Sequence, residues 1–172
     1  GLAAAQAVMR QAGPVLGGAV LNKMVEADVR RQQQCLDALI AAYLKLRGAA
    51  GLPLVEVHFL ANRSAEYTQV YAAVMALRFH GEETDAIPRA RLLESVRLLL
   101  ENAEIADQVI PDLARWEDWS VLEQLVEMFK SSEPQAWVRQ PVISYLLVAE
   151  EQPGPVGTRA AAAIAELEAL DP

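Results

Sequence analysis

The stretch LARWEDWSVLEQLVEMF, Leu113 to Phe129, carries two of the chain's three tryptophans, Trp116 and Trp119, with only Glu117 and Asp118 between them. It reads either as an aromatic ligand box or as the corner between two packed helices. Trp116 closes an apolar stripe formed by Ile105, Val109 and Leu113. Trp119 opens a second one with Leu122, Leu125, Val126 and Phe129. Both stripes have the i, i+3, i+4 spacing that places side chains on one helical face. Asp118 stands where an N-cap belongs, its carboxylate facing free amide hydrogens and the positive end of the helix dipole. The spacing therefore predicts a corner, with two bulky apolar residues filling the wedge between successive helices.

Working outward, the same periodicity recurs. Leu36, Leu39, Ile40, Tyr43 and Leu44 form one stripe; Tyr67, Val70, Tyr71 and Val74 a second; Leu92, Val96, Leu99 and Leu100 a third. No segment alternates strictly enough to read as a strand. Breaks are expected at 48–51, at 62–64 with Ser64 as N-cap, between Gly81 and Pro88, at 102–104, at 117–118, at 131–134 and at 152–157. About nine helices of roughly 10–16 residues follow, joined by loops of about 2–8 residues that force neighbours antiparallel. The whole chain, 1–172, reads as one all-α domain.

Composition agrees. Hydrophobic residues make up 53% of the chain and aromatics only 6%, the Ala- and Leu-rich mixture that suits helices. A net charge of −8, with no Lys/Arg block longer than Arg30-Arg31, opposes a nucleic-acid partner. The single cysteine, Cys35, excludes an internal disulfide and is expected as a buried, inert thiol. No window is expected to reach the ~18 apolar residues of a membrane span. The start GLAAAQAVMRQAGPVLGGAVL is interrupted by Arg10 and Gly13-Pro14, and lacks an initiator methionine; a cut or processed end is the expectation.

Internal self-similarity is more informative. LVEVHFL (54–60) followed by VYAAVMAL (70–77) is matched by LVEMF (125–129) followed by VRQPVISYL (138–146), both displaced by about 68–71 residues. That is two units of about 34–35 residues, with a less similar unit between them from Arg89 to Trp116. Helix pairs at this period are the mark of an α-solenoid, in which each pair covers the apolar face of the next.

The segment LVEMFKSSEPQAWVRQPVISYLLVA (125–149) resembles a HEAT-type repeat, with a Val-Arg pair at Val138-Arg139 and prolines tolerated at Pro111 and Pro141. From about Leu36 onward the chain also resembles uncharacterised bacterial HEAT-like proteins, through AYLKLRGAAGLPLVEVHFL, AAVMALRFHG and VIPDLARWEDWSV. Residues 1–34 fit the repeat poorly, and the final helix reads as a cap. The resemblance implies stacked antiparallel pairs with the second helices, which carry Arg78 and Arg139, lining the inner curve. Both arginines are then candidates for ties between repeats or for contact with a partner, as are Trp116 and Trp119.

Reaction chemistry finds little support. His80 with Glu82, Glu83 and Asp85 is the best metal candidate but reads as a solvated acidic turn. The carboxylate pairs Glu123/Glu127, Glu104/Asp107 and Glu150/Glu151 read as polar helix faces, since nothing desolvates one member alone. GPVGTR is neither a Walker loop nor a dinucleotide fingerprint. No cofactor is expected. The leading expectation is a non-catalytic scaffold that binds a protein or peptide of basic or mixed charge on its curved face. A structural or assembly subunit, packing through terminal repeats as a fragment or oligomer, is the alternative; an enzyme on a HEAT-like frame comes last.

Overall fold

The computed structural model describes residues 35–133 and 136–170. These residues are all-helical, 78% helix with no strand, in seven helical runs. The helices expected within 1–34, the Arg30-Arg31 pair and Pro134 lie outside the described residues.

The first run, Leu36–Leu60, is composite. Helix α1 (Leu36–Arg47) has Asp37 in its first turn and Lys45 and Arg47 in its last, the arrangement its dipole favours. At Gly48 the backbone takes φ 57° and ψ −147°, which costs glycine nothing. A Cβ there would also sit 3.1 Å from the Ala86 carbonyl oxygen. The chain then passes through a 3-10 turn (Gly48–Gly51) into α2 (Leu52–Val55), with Pro53 in its first turn, and a π-helical turn Glu56–Leu60. By length and composition, Leu36–Leu60 does qualify as a candidate membrane span, with a mean hydropathy of 1.4. The break at Gly48 nevertheless leaves α1 only 12 residues long, about 18 Å at 1.5 Å per residue and short of a ~30 Å hydrocarbon core.

Five helices follow: α3 (Tyr67–Glu82), α4 (Arg89–Arg97, extended by a 3-10 turn Leu98–Glu101), α5 (Ala106–Arg115), α6 (Leu122–Ser131, preceded by a 3-10 turn Trp119–Val121) and α7 (Arg139–Glu150). The last, α8, is Pro155–Leu170. The N-cap of α3 is Glu66, which forms a capping box with Gln69, and not Ser64. Ser64 instead donates its amide to Asn62 Oδ1 at 2.9 Å inside the preceding turn.

Two interleaved rows emerge from the contacts. α1 packs on α3, and α5 on α7; Arg78, Gln108 and Arg115 tie α3 to α5. In the other row Glu56, in the π-helical turn after α2, reaches Arg91 and Ser95 of α4, and Arg159–Glu123 and Lys130–Glu166 join α6 to α8. Side-chain bonds between these helices link residues 30 to 41 positions apart, from Arg78–Gln108 to Gln108–Tyr67, and none among the described residues reaches further. One continuous aliphatic core runs between the rows, from Ile40 and Leu44 through Leu77, Leu99, Ile110 and Leu125 to Leu146 and Leu167.

Two sequence stripes behave differently from expectation. Leu39 belongs to the first stripe by spacing but is exposed, as are Tyr67 and Tyr71 in the second; Val70 and Val74 are buried. Cys35 is also exposed. It occupies the N-cap position of α1 with φ −116°, ahead of the first full turn, so the helical face that would bury it has not begun.

Candidate functional site

Tyr67, Tyr71, Met75 and Phe79 recur every four residues along α3, and all four are more than a third exposed. The adjoining face of the same helix, with Val70, Ala73, Val74 and Leu77, is buried. Alpha-helical spacing of four drifts slowly around the axis, so these side chains form a single apolar ridge. Tyr67 and Tyr71 stack with ring centres 6.0 Å apart, and the Tyr67 hydroxyl accepts from Gln108 Nε2 at 2.6 Å. Beside the ridge runs a groove of about 480 Å³ between α1 and α3, lined by Ala38, Ala41, Ala42, Met75, Ala76 and Phe79, with Asp37 and Lys45 at its edge. A second groove, about 390 Å³, lies between Leu100, Ala106, Met128 and Val138. The third tryptophan, Trp137, stands beside it and is 87% exposed.

The four residues singled out in the sequence occupy different places. Arg78 donates through Nε to Asp112 Oδ2 and through Nη2 to the Gln108 carbonyl, both at 2.8 Å; its charge is spent between helices. Trp116 caps the end of α5 and is buried against α3, where Gly81 leaves room for its ring. The Arg89 guanidinium covers the ring at 5.1 Å. Trp119 lies in the 3-10 turn before α6, its ring 5.3 Å from Tyr145. Arg139 opens α7, with its guanidinium 3.9 Å from the centre of the Phe129 ring. They do not converge on one site.

Between the tryptophans, Glu117 has φ 56°, a left-handed turn that reverses the chain. Asp118 then caps the next segment, accepting from the Ser120 amide at 3.3 Å and hydroxyl at 2.7 Å. Its carboxylate also receives a two-point bond from Arg97, at 2.7 and 2.9 Å. Burial pushes this carboxyl up, but Arg97 and Ser120 outweigh it and hold it below its ordinary value. Asp112 goes the other way. Burial raises it and the Arg78 bond only partly offsets the rise. The Tyr145 hydroxyl, raised by burial, donates to the Asp118 carbonyl at 2.6 Å.

His80, expected in a solvated turn, is buried instead. Its Nε2 lies 2.9 Å from the Ala41 carbonyl, which can only accept, and Nδ1 lies 2.9 Å from the Thr84 hydroxyl. Glu82 pairs with Arg115. Among the described residues no group of three His, Cys, Asp or Glu side chains is placed to hold a metal ion.

The α3 ridge and the Asp112 and Asp118 ties are the features missed in the sequence. A second period-four register (67, 71, 75, 79) beside the buried one was the available signal for the ridge. The chain matches no family model, no curated protein and no solved structure.

Proposed function

We propose that this chain is a non-catalytic interaction scaffold: a short HEAT-like α-solenoid that binds a protein segment on the row formed by α1, α3, α5 and α7. Support for the stack comes from next-but-one helix contacts and from the Arg78 and Gln108 ties between α3 and α5, which span about one repeat. The observation that carries the binding role is the exposed ridge of Tyr67, Tyr71, Met75 and Phe79 beside an apolar groove. Aromatic and methionine side chains are enriched where proteins dock, and an amphipathic helix lying in a groove presents anchors at matching intervals. The chain's net charge of −8 favours a partner of basic or mixed charge. Arg78 serves the stack by tying α3 to α5, and Trp116 and Trp119 serve it at the corner.

A random-peptide display selection on the full chain tests this. It is expected to return amphipathic, net-basic peptides whose binding weakens roughly tenfold or more in Tyr71→Glu or Met75→Glu. Both positions are exposed, so thermal midpoints should hold. Failure to enrich any sequence, or binding indifferent to both substitutions, would defeat the proposal.

A further inference from the structure

The groove between α1 and α3 carries opposite charges at its two ends. Asp37, half-buried in the first turn of α1, and Lys45, exposed in its last, complete a lining that is otherwise apolar. Most arginines of the described residues are engaged by carboxylates, but among those residues neither Asp37 nor Lys45 takes part in an ion pair. Eight positions separate the two, about 12 Å along the helix. Between them lie Ala38, Ala41 and Ala42, with Ala76 across from them on α3. No side chain of this floor extends past Cβ, so a guest can bring large apolar anchors close to both backbones. The two helices run in the same direction. Ala41 meets His80, and Gly48, further along the chain, lies against the Ala86 carbonyl.

We infer that this groove takes an amphipathic helix of a protein partner running antiparallel to α1. The guest places an acidic residue of its first turn against Lys45 and a basic residue, about two turns later, against Asp37. A helix satisfies its own backbone groups, whereas the described residues offer no strand edge to pair an extended peptide. Antiparallel placement sets the positive end of the guest's dipole beside the negative end of α1, and the reverse at the other end. Acid first and base last is also the order that stabilises the guest's own helix. The residues that recognise the groove are therefore the ones that preform the ligand, which lowers the ordering cost of binding. A parallel helix would need the opposite order, against its own dipole. The inference rests on the docking role proposed for the α3 ridge, and adds the direction and charge order of what docks.

A display library of helix-biased peptides with randomised charge positions tests it, selected in parallel on the full chain and on its Asp37→Lys/Lys45→Glu variant. The wild type is expected to enrich acid-first peptides and the variant base-first ones. Synthetic copies of one winner and of its charge-exchanged form should then cross over in titrations. Each binds its own chain about fivefold or more tighter than the other, and the difference disappears in about 1 M NaCl. Lys45→Gln and Asp37→Asn carry the same reading with little strain on α1. Each should weaken the acid-first peptide about two- to threefold and spare its charge-exchanged form. Peptides that Tyr71→Glu weakens but that show no charge order, or that keep the wild-type order on the exchanged chain, overturn the inference and leave the docking role standing. Enrichment of no sequence defeats the docking role and this inference with it.

Discussion

Gly81→Ala is expected to destabilise the chain although alanine is the better helix former. Gly81 is the next-to-last residue of α3, and an ideal Cβ placed on it would lie 2.4 Å from Trp116 Cζ2 and 2.9 Å from Cε2 and Cη2. Carbon atoms in contact prefer about 3.5–4.0 Å, so the overlap exceeds an ångström and meets a rigid ring. Trp116 is 9% exposed and carries Arg89 over its face, so it cannot swing clear without losing its burial. Overpacking of this kind costs about 1–3 kcal/mol. Replacing glycine returns at most about 1 kcal/mol of helix propensity, and less near a helix end. A net loss of about 1–2 kcal/mol would lower the thermal midpoint by about 2–8 °C for a chain of this size. Trp116→Phe removes the atoms that collide, so in that background Gly81→Ala should cost much less. A double-mutant cycle by calorimetry should then give a coupling of about 1 kcal/mol or more. A midpoint that rises in Gly81→Ala, or strictly additive effects, would refute the claim that the corner is locked onto α3 by this contact.

Other expectations follow from the same corner. Asp118→Ala removes both the cap and the Arg97 partner; with Arg97 partly exposed, the loss is expected near 2–3 kcal/mol by urea denaturation rather than the full value of a buried pair. Tyr145→Phe deletes one buried hydrogen bond to the Asp118 carbonyl and should cost about 1 kcal/mol in the same assay. Glu117→Gly relieves a left-handed backbone and should raise stability by up to about 1 kcal/mol. The pH response has a defined sign. Arg91, opposed by burial and helped by Ser95, holds the Glu56 carboxyl below its ordinary value; Asp118 is also lowered. Their contributions are therefore present above the ordinary carboxylate range and lost as pH falls through the lowered folded values. Asp118→Asn should flatten the acid limb of urea midpoint against pH, and an unchanged limb would count against the Arg97 tie.

Much of the helix layout was legible in the residues because it is local. Stripes of period 3.6 and the punctuation by Gly48, Pro88 and Asn102 depend on neighbours a few positions away, as does the Trp116–Trp119 corner. What could not be read depends on partners 20 to 40 positions off. Asp112 looks like an ordinary surface carboxylate, and Asp118 like a helix cap and nothing more, until Arg78 and Arg97 are brought to them. His80 looks solvated until the Ala41 carbonyl arrives from α1. The Tyr67 register failed for another reason. Helix α3 carries two apolar registers, and periodicity alone does not say which faces the core. Val70, Ala73, Val74 and Leu77 take the inside. The bulkier Tyr, Met and Phe are left outside.

That division bears on the proposed binding role. Inside, the joints between helix pairs combine close aliphatic packing with charge ties such as Glu56–Arg91, Arg78–Asp112 and Arg97–Asp118. Each tie includes a carboxylate that is largely or wholly withdrawn from solvent, where loss of the partner is costly. These contacts between helices are therefore held by directional bonds as well as by apolar contact, which can slide. A ridge mounted on such a frame presents its aromatic side chains with little backbone entropy to lose on binding, and preorganisation of this sort converts modest contact area into affinity. Under the proposed binding role, Arg78→Ala is expected to weaken a selected peptide that Tyr71→Glu and Met75→Glu also weaken, as measured by titration, although Arg78 is engaged by Asp112 and Gln108.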